Sequence, residues 1–276
     1  MADLVAAIPG LAGVRVDTEQ VAQIDSKDMD AAVWIALAQR CQHWLSSADV
    51  GGLVVTHGTD TVEETAYFLH RVLTPAKPIV LTCAMRPATA LSPDGPQNLA
   101  DAFAVARSPD ARGVVVACAG RVHAACDVRK VHPYRLDAFS SGDAGVLGYV
   151  EDGSLRRVRE WPRAEAAAVT PGKLRDPASW PRVEIVLSHA GASARGIQAL
   201  VRDGVQGIVV AGTGNGSVHA ALDDALVDAM GSGTRVVRST RCAEGHVIAQ
   251  ADDRLPSTSL TPVQARIELL LQMLAQ

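Results

Sequence analysis

Apolar residues recur along this chain in two rhythms that take turns. Val33, Leu37, Cys41, Trp44 and Leu45 fall at helical spacing and predict a helix over residues 31–46. Residues 52–56 form a short continuous apolar run, the pattern of a buried strand. A helix is expected over 61–73, with Thr61 and Glu64 in capping-box register, then a strand over 79–83. A long loop leads to Asp94-Gly95-Pro96, where a proline in the first turn opens a helix that includes 98–106. A strand follows over 113–118. Residues 121–150 have no clear period, and 153–181 turn polar and proline-bearing, which reads as a linker. Beyond it, strands over 183–187, 207–211 and 235–239 alternate with helices over 194–201 and 218–230, and a last helix starts at Pro262. The alternation in both halves predicts the α/β class, with a larger parallel-sheet domain over 1–152 and a smaller α/β domain over 182–276.

Composition narrows the picture. The chain has 276 residues, enough to bury a sizeable core. It is 48% hydrophobic but only 4% aromatic, so the core is built from Ala, Val and Leu, as suits buried parallel strands on Ala-rich helices. A net charge of −4 and the lack of a basic run give no electrostatic footprint for nucleic acid. No apolar stretch reaches membrane-span length, and the first ten residues lack the basic start of a signal peptide; the cytoplasm is the default expectation. Five cysteines, odd in number and scattered, read as reduced thiols. The eight histidines, His57, His123 and His132 among them, have no metal-ligand spacing, so neither a metal nor a cofactor is expected.

The strongest chemical signal is Thr-His-Gly-Thr-Asp-Thr-Val-Glu-Glu-Thr at residues 56–65. An apolar run, a glycine turn and a helix start put Thr56, Thr59 and Asp60 beyond the carboxyl end of a strand, where open α/β sheets bind ligands. A helix cap needs one side chain; this loop offers three hydroxyls, a carboxylate and His57. Lys130, in Asp127-Val128-Arg129-Lys130, is a second candidate, since a neutral amine beside a threonine hydroxyl can take its proton. Taken alone, however, a single lysine is far more often a solvated surface charge. Residues 85–96 form a loop long enough to be functional or a rigid packing turn. The glycine-rich turn at 211–216 hints weakly at phosphate, without a GxGxxG order or a Walker lysine. No GxSxG elbow is present, which argues against a serine hydrolase.

Taken in order, these segments resemble the bacterial-type L-asparaginase family, including the glutaminase-asparaginases. The likeness rests on Gln-Ile-Asp-Ser-Lys-Asp-Met at 23–29, the 55–69 segment, Ala84-Met85-Arg86-Pro87, Asp94-Gly95-Pro96 with Asn98, Asp127 with Lys130, and Gly212 with Gly214-Asn215-Gly216. The resemblance implies hydrolysis of L-asparagine to L-aspartate and ammonia through an acyl-enzyme on a threonine. It implies that Thr59, Asp60 and Lys130 are catalytic, with Thr59 orienting water or sharing the oxyanion's charge. Asp60 would hold the substrate's α-amino group, Ser26 its α-carboxylate, and the Ala84 carbonyl would face the amide. It also implies a homotetramer, each site closed by a neighbour's C-terminal domain.

The sequence departs from the family at three points. The Thr-Gly-Gly-Thr-Ile motif that supplies the nucleophile is not in these 276 residues, so a late start is expected, with the lost strand belonging in the interior of the first sheet. Lys27 follows Ser26 where well-known secreted members carry Gln or Glu, and Ser217 stands where some members have a second asparagine. The competing expectation is an inactive relative that binds asparagine, aspartate or a partner subunit.

Overall fold

The computed structural model describes residues 8, 11, 13–162, 166–174 and 176–276. Two compact units meet in sequence at Lys173 and Leu174. The first unit carries a six-stranded sheet of β1 (Leu53–Thr56), β2 (Pro78–Thr82), β3 (Gly113–Cys118), β4 (Arg121–Ala124), β7 (Gly148–Glu151) and β8 (Ser154–Arg157), in that spatial order. A separate two-stranded hairpin pairs β5 (Arg129–Lys130) with β6 (Phe139–Ser140). Helices α1 (Ala31–Leu45), α2 (Val62–Val72) and α3 (Gly95–Ala106) complete the unit.

The expected parallel order holds for β1, β2 and β3 and then stops. From β3 onward the ladders are antiparallel. The reason lies in two tight turns. Ala119 and Gly120 join β3 to β4, Asp152 and Gly153 join β7 to β8, and all four residues have positive φ. Two consecutive left-handed residues are what a two-residue hairpin needs. The aperiodic stretch 121–150 therefore holds short strands joined by turns, and the stretch read as linker opens with β8, the last strand of the sheet. Asp152-Gly153 was a readable hairpin signal there.

β2 is buried along its whole length, while β1 is only half-buried and ends exposed at Thr56. Among the described residues β1 pairs on one side only, with β2. Ala102 and Val105 of α3 pack on Val80, Val115 and Ala117, and Trp161 closes the cluster. Trp34 of α1 stacks on Phe68 of α2, ring centroids 4.9 Å apart. All five cysteines are free thiols.

The second unit has three parallel strands in the order β11 (Arg235–Thr240), β10 (Gly207–Gly212), β9 (Val183–Leu187). Ile197 of α4 (Arg195–Arg202) and Leu222 and Leu226 of α5 (Ala220–Gly231) pack on Ile208, Val210 and Val236. Helix α6 (Pro262–Leu274) is capped by Thr261 and Gln264, each side chain bonding the other's backbone N–H.

His123, on β4, is 1% exposed, with Nδ1 2.8 Å from the Ser141 hydroxyl and Nε2 unpartnered among the described residues. Burial, helped by the nearby Arg121 charge, pushes its pKa down to about 4. Below the ordinary histidine value the unfolded chain binds a proton that the folded chain refuses, so folding weakens as pH falls from about 6.5 toward 4. The expected loss is roughly 3 kcal/mol. Glu63, on α2, is lifted by burial to about 7 and so titrates in an overlapping range with the opposite sign, which makes the measurement a difference between proteins. Urea unfolding at pH 7 and pH 4.5 should show a smaller acid loss in His123→Gln than in the parent; equal losses would contradict it.

Candidate active site

Thr59 and Asp60 sit in the short loop between β1 and α2, just past the carboxyl end of the parallel strands. The loop is anchored from below by a 3-10 turn at Ser26–Asp28. The Ser26 hydroxyl accepts the Asp60 N–H at 3.2 Å, and the Thr61 hydroxyl donates to the Ser26 carbonyl at 2.6 Å. Ser26 is 4% exposed. Gly58 lets this approach happen: a Cβ there would lie 2.4 Å from the Ser26 Oγ. The expected capping box at Thr61 is absent, because that hydroxyl is engaged by Ser26 instead.

His57 fixes the other side of the loop. Its Nδ1 lies 2.7 Å from the Gly58 carbonyl, and its Nε2 lies 2.9 Å from the Thr65 hydroxyl. A carbonyl only accepts, so Nδ1 carries the proton and Nε2 accepts from Thr65. Trp34 Nε1 donates in turn to the Thr65 oxygen at 3.0 Å. Burial lowers the histidine's pKa, against the pull of the Gly58 carbonyl, and the ring serves as a neutral strut.

Lys130 comes from β5, and its amine lies 2.9 Å from Thr59 Oγ1 and 2.5 Å from Asp60 Oδ1. The lysine side chain is 16% exposed and the Asp60 side chain 52%. Thr59, Asp60, Lys130 and Ser26 are thus brought together. Asp127, close by in sequence, instead pairs with Arg159 at 3.0 Å. Sequence reasoning gave no role to Glu63, in the first turn of α2, whose Oε2 accepts the backbone N–H of Lys130 at 2.6 Å. Burial lifts its carboxyl to about 7, with Glu64 adding to the rise and the Lys130 N–H, Arg129 and the Lys130 charge opposing it. No spacing rule marks it; it is one glutamate of two at an ordinary helix start.

Ala84 lies exposed just past β2, and its loop is braced from behind. Asp94 accepts the N–H groups of Met85 (2.9 Å) and Arg86 (2.8 Å), so it does not cap α3. Asn98, 2% exposed, donates to the Cys83 carbonyl at 2.8 Å and accepts the Ala119 N–H at 2.9 Å. It ties the end of β2 to the turn after β3. A cleft of about 630 Å³ opens beside this loop, lined by Arg86, Asp94, Asn98, Asp101 and Asp152 among others. None of Ser26, Thr59, Asp60 or Lys130 lines it.

In the second unit the glycine-rich turn closes on itself, with Thr213 and Ser217 exchanging both backbone hydrogen bonds. Those N–H groups are already paired, which argues against a phosphate cradle. The Asn215 side chain donates to the Ile248 carbonyl and accepts its N–H. Lys27 is held by Asp25 at 2.7 Å and Asp28 at 3.2 Å. Among the described residues no His, Cys, Asp and Glu cluster could hold a metal ion.

Gly58→Ala should push Ser26 out of its seat, and overpacking of this kind typically costs about 1–3 kcal/mol. Calorimetric unfolding should register that loss, while a variant as stable as the parent would show that the contact is not tight.

Comparison with known proteins identifies the family. A family model described as asparaginase, N-terminal, matches residues 1–163, and one described as glutaminase/asparaginase C-terminal domain matches 182–276. The L-asparaginase 2 of Bacillus subtilis is 37% identical over 277 residues, covering 98% of this chain and 73% of that protein. The probable periplasmic L-asparaginase of Haemophilus influenzae is 39% identical over 279 residues, covering 98% and 79%. The crystal structure of a probable cytoplasmic L-asparaginase from Campylobacter jejuni, 38% identical, superposes with a TM-score of 0.91 over 99% of this chain and 89% of that one. The chain belongs to the asparaginase family.

Proposed function

We propose that this protein hydrolyses L-asparagine to L-aspartate and ammonia through a threonine acyl-enzyme, in the cytoplasm. The observation that carries the reading is the Lys130 amine, within hydrogen-bond distance of both the Thr59 hydroxyl and the Asp60 carboxylate. A proton passes directly between a hydroxyl and an amine only over such a distance. The half-exposed Asp60 carboxylate suits an α-ammonium group. The Ser26 hydroxyl accepts from Asp60 and keeps its own proton free for an α-carboxylate. The Ala84 carbonyl, on the neighbouring strand end, would accept from the carboxamide NH₂. The acyl-forming threonine would come from a further strand paired along the free edge of β1. Thr59 and Lys130 would then activate the water that releases aspartate.

Water has to be excluded around the charge that develops. The half-exposed site therefore favours an oligomer, with the turn at 212–217 of one subunit meeting the Thr59 site of another. A stable monomer in sedimentation at micromolar concentration would count against that part.

The decisive assay is ammonia release from L-asparagine and L-glutamine by the 276-residue chain, beside a version extended upstream to include a threonine strand. The extended protein is expected to be active on asparagine and the shorter one close to inactive. In the active form, Thr59→Ala and Lys130→Met should each lower kcat roughly 10²–10⁴-fold, the range of a lost acid–base group. Full activity from the shorter chain would show that the nucleophile has been misassigned. Aspartate binding without turnover in both forms would favour an inactive relative.

A further inference from the structure

Lys130 stands on a weak platform. Its strand β5 has two residues and pairs with β6 in a hairpin outside the six-stranded sheet. A two-stranded hairpin is marginal on its own. The position of the amine must therefore be set by what the hairpin touches. The Lys130 N–H points away from β6 to Glu63, 67 residues earlier, at 2.6 Å. That bond joins the hairpin to the first turn of α2, the element that directly follows Thr59, Asp60 and Thr61.

We propose that Glu63 is a positioning residue, which fixes the backbone of Lys130 so that its amine meets Thr59 and Asp60. The link to catalysis rests on the reading of Lys130 given above; the link to the position of Lys130 does not. Three features support it. The bond is short, as bonds to a charged acceptor are. Glu63 is anchored on a helix whose neighbouring residues Val62, Thr65 and Ala66 are fully buried, so its backbone does not drift. Its carboxyl is buried enough to titrate near pH 7, with Arg129 and Lys130 facing it from β5 and Glu64 from its own helix. A carboxylate accepts a hydrogen bond more strongly than a protonated carboxyl. Lys130 should therefore be held more firmly as pH rises through about 7.

The chain's lysines are Lys27, Lys77, Lys130 and Lys173, few enough to follow one by one. The experiment is acylation by dilute acetic anhydride between pH 6 and 8.5, with each lysine read by peptide mass spectrometry. Lys77, bonded to the Leu45 and Ser47 carbonyls in another part of the unit, serves as the internal reference. In the parent the Lys130-to-Lys77 ratio should fall by about half as pH rises through 7, as the carboxylate tightens its bond. Glu63→Gln keeps an acceptor oxygen and should stay within about twofold of the parent while losing that pH step. Glu63→Ala should raise the ratio at least about fivefold, as a freed side chain would. An unchanged ratio in Glu63→Ala, or a pH step that survives in Glu63→Gln, would overturn the proposal. If Glu63→Ala fails to fold, the pH step in Glu63→Gln decides. These ratios do not depend on turnover, so failure of the ammonia assay with the ratios behaving as stated would refute only the catalytic reading.

Discussion

Everything in this site turns on one amine held between a hydroxyl and a carboxylate. Lys130 meets Thr59 and Asp60 from a two-stranded hairpin that is remote in sequence and outside the main sheet, while Thr59 and Asp60 lie in a loop. The ion pair itself adds little stability. Asp60 is half exposed, and pairs in such surroundings contribute about 0–1 kcal/mol. The geometry is held by its neighbours. Ser26 grips the loop from below, His57 braces it from the side, and Glu63 holds the backbone of the lysine.

These supports share a design: polar groups that a local reading would assign to helix ends are turned toward the site. Thr61 leaves its helix uncapped to bond Ser26. Asp94 leaves α3 uncapped to hold the backbone at Met85 and Arg86. Asn98, inside α3, bridges Cys83 and Ala119. Thr61 and Asp94 each give up a cap bond, worth about 1 kcal/mol, and the strand-end loops become ordered in return. Strain appears in the same neighbourhood, since Ala119 is held at a φ of 51° where its N–H meets Asn98.

Much of this was legible in the sequence, for identifiable reasons. The strands β1, β2, β3 and β10 are near-continuous apolar runs, β9 and β11 carry apolar residues broken by Glu184 and Arg238, and the boundaries of all six emerge within a residue or so. Thr59 and Asp60 could be found because the loop carries more polar groups than a cap requires. Lys130 could not be chosen from its surroundings, only from its resemblance to a family pattern. The antiparallel half of the first sheet and the separate β5–β6 hairpin were missed because strands of two to four residues interrupted by polar side chains are too short to develop a period. Glu63 was missed because its partner is a backbone N–H 67 residues away, and no local pattern encodes that pairing. The capping-box expectation at Thr61 failed because a tertiary partner, the Ser26 carbonyl, outcompeted the local one.

The most direct test of the central claim is a crystal structure of the protein with L-aspartate, the proposed product. The α-ammonium group should lie on Asp60, the α-carboxylate on Ser26, and the side-chain carboxylate beside Thr59 and the Ala84 loop, with Lys130 still in contact with Thr59. Aspartate bound elsewhere, such as in the cleft lined by Arg86 and Asp101, or the lysine turned away from the occupied site, would contradict the account.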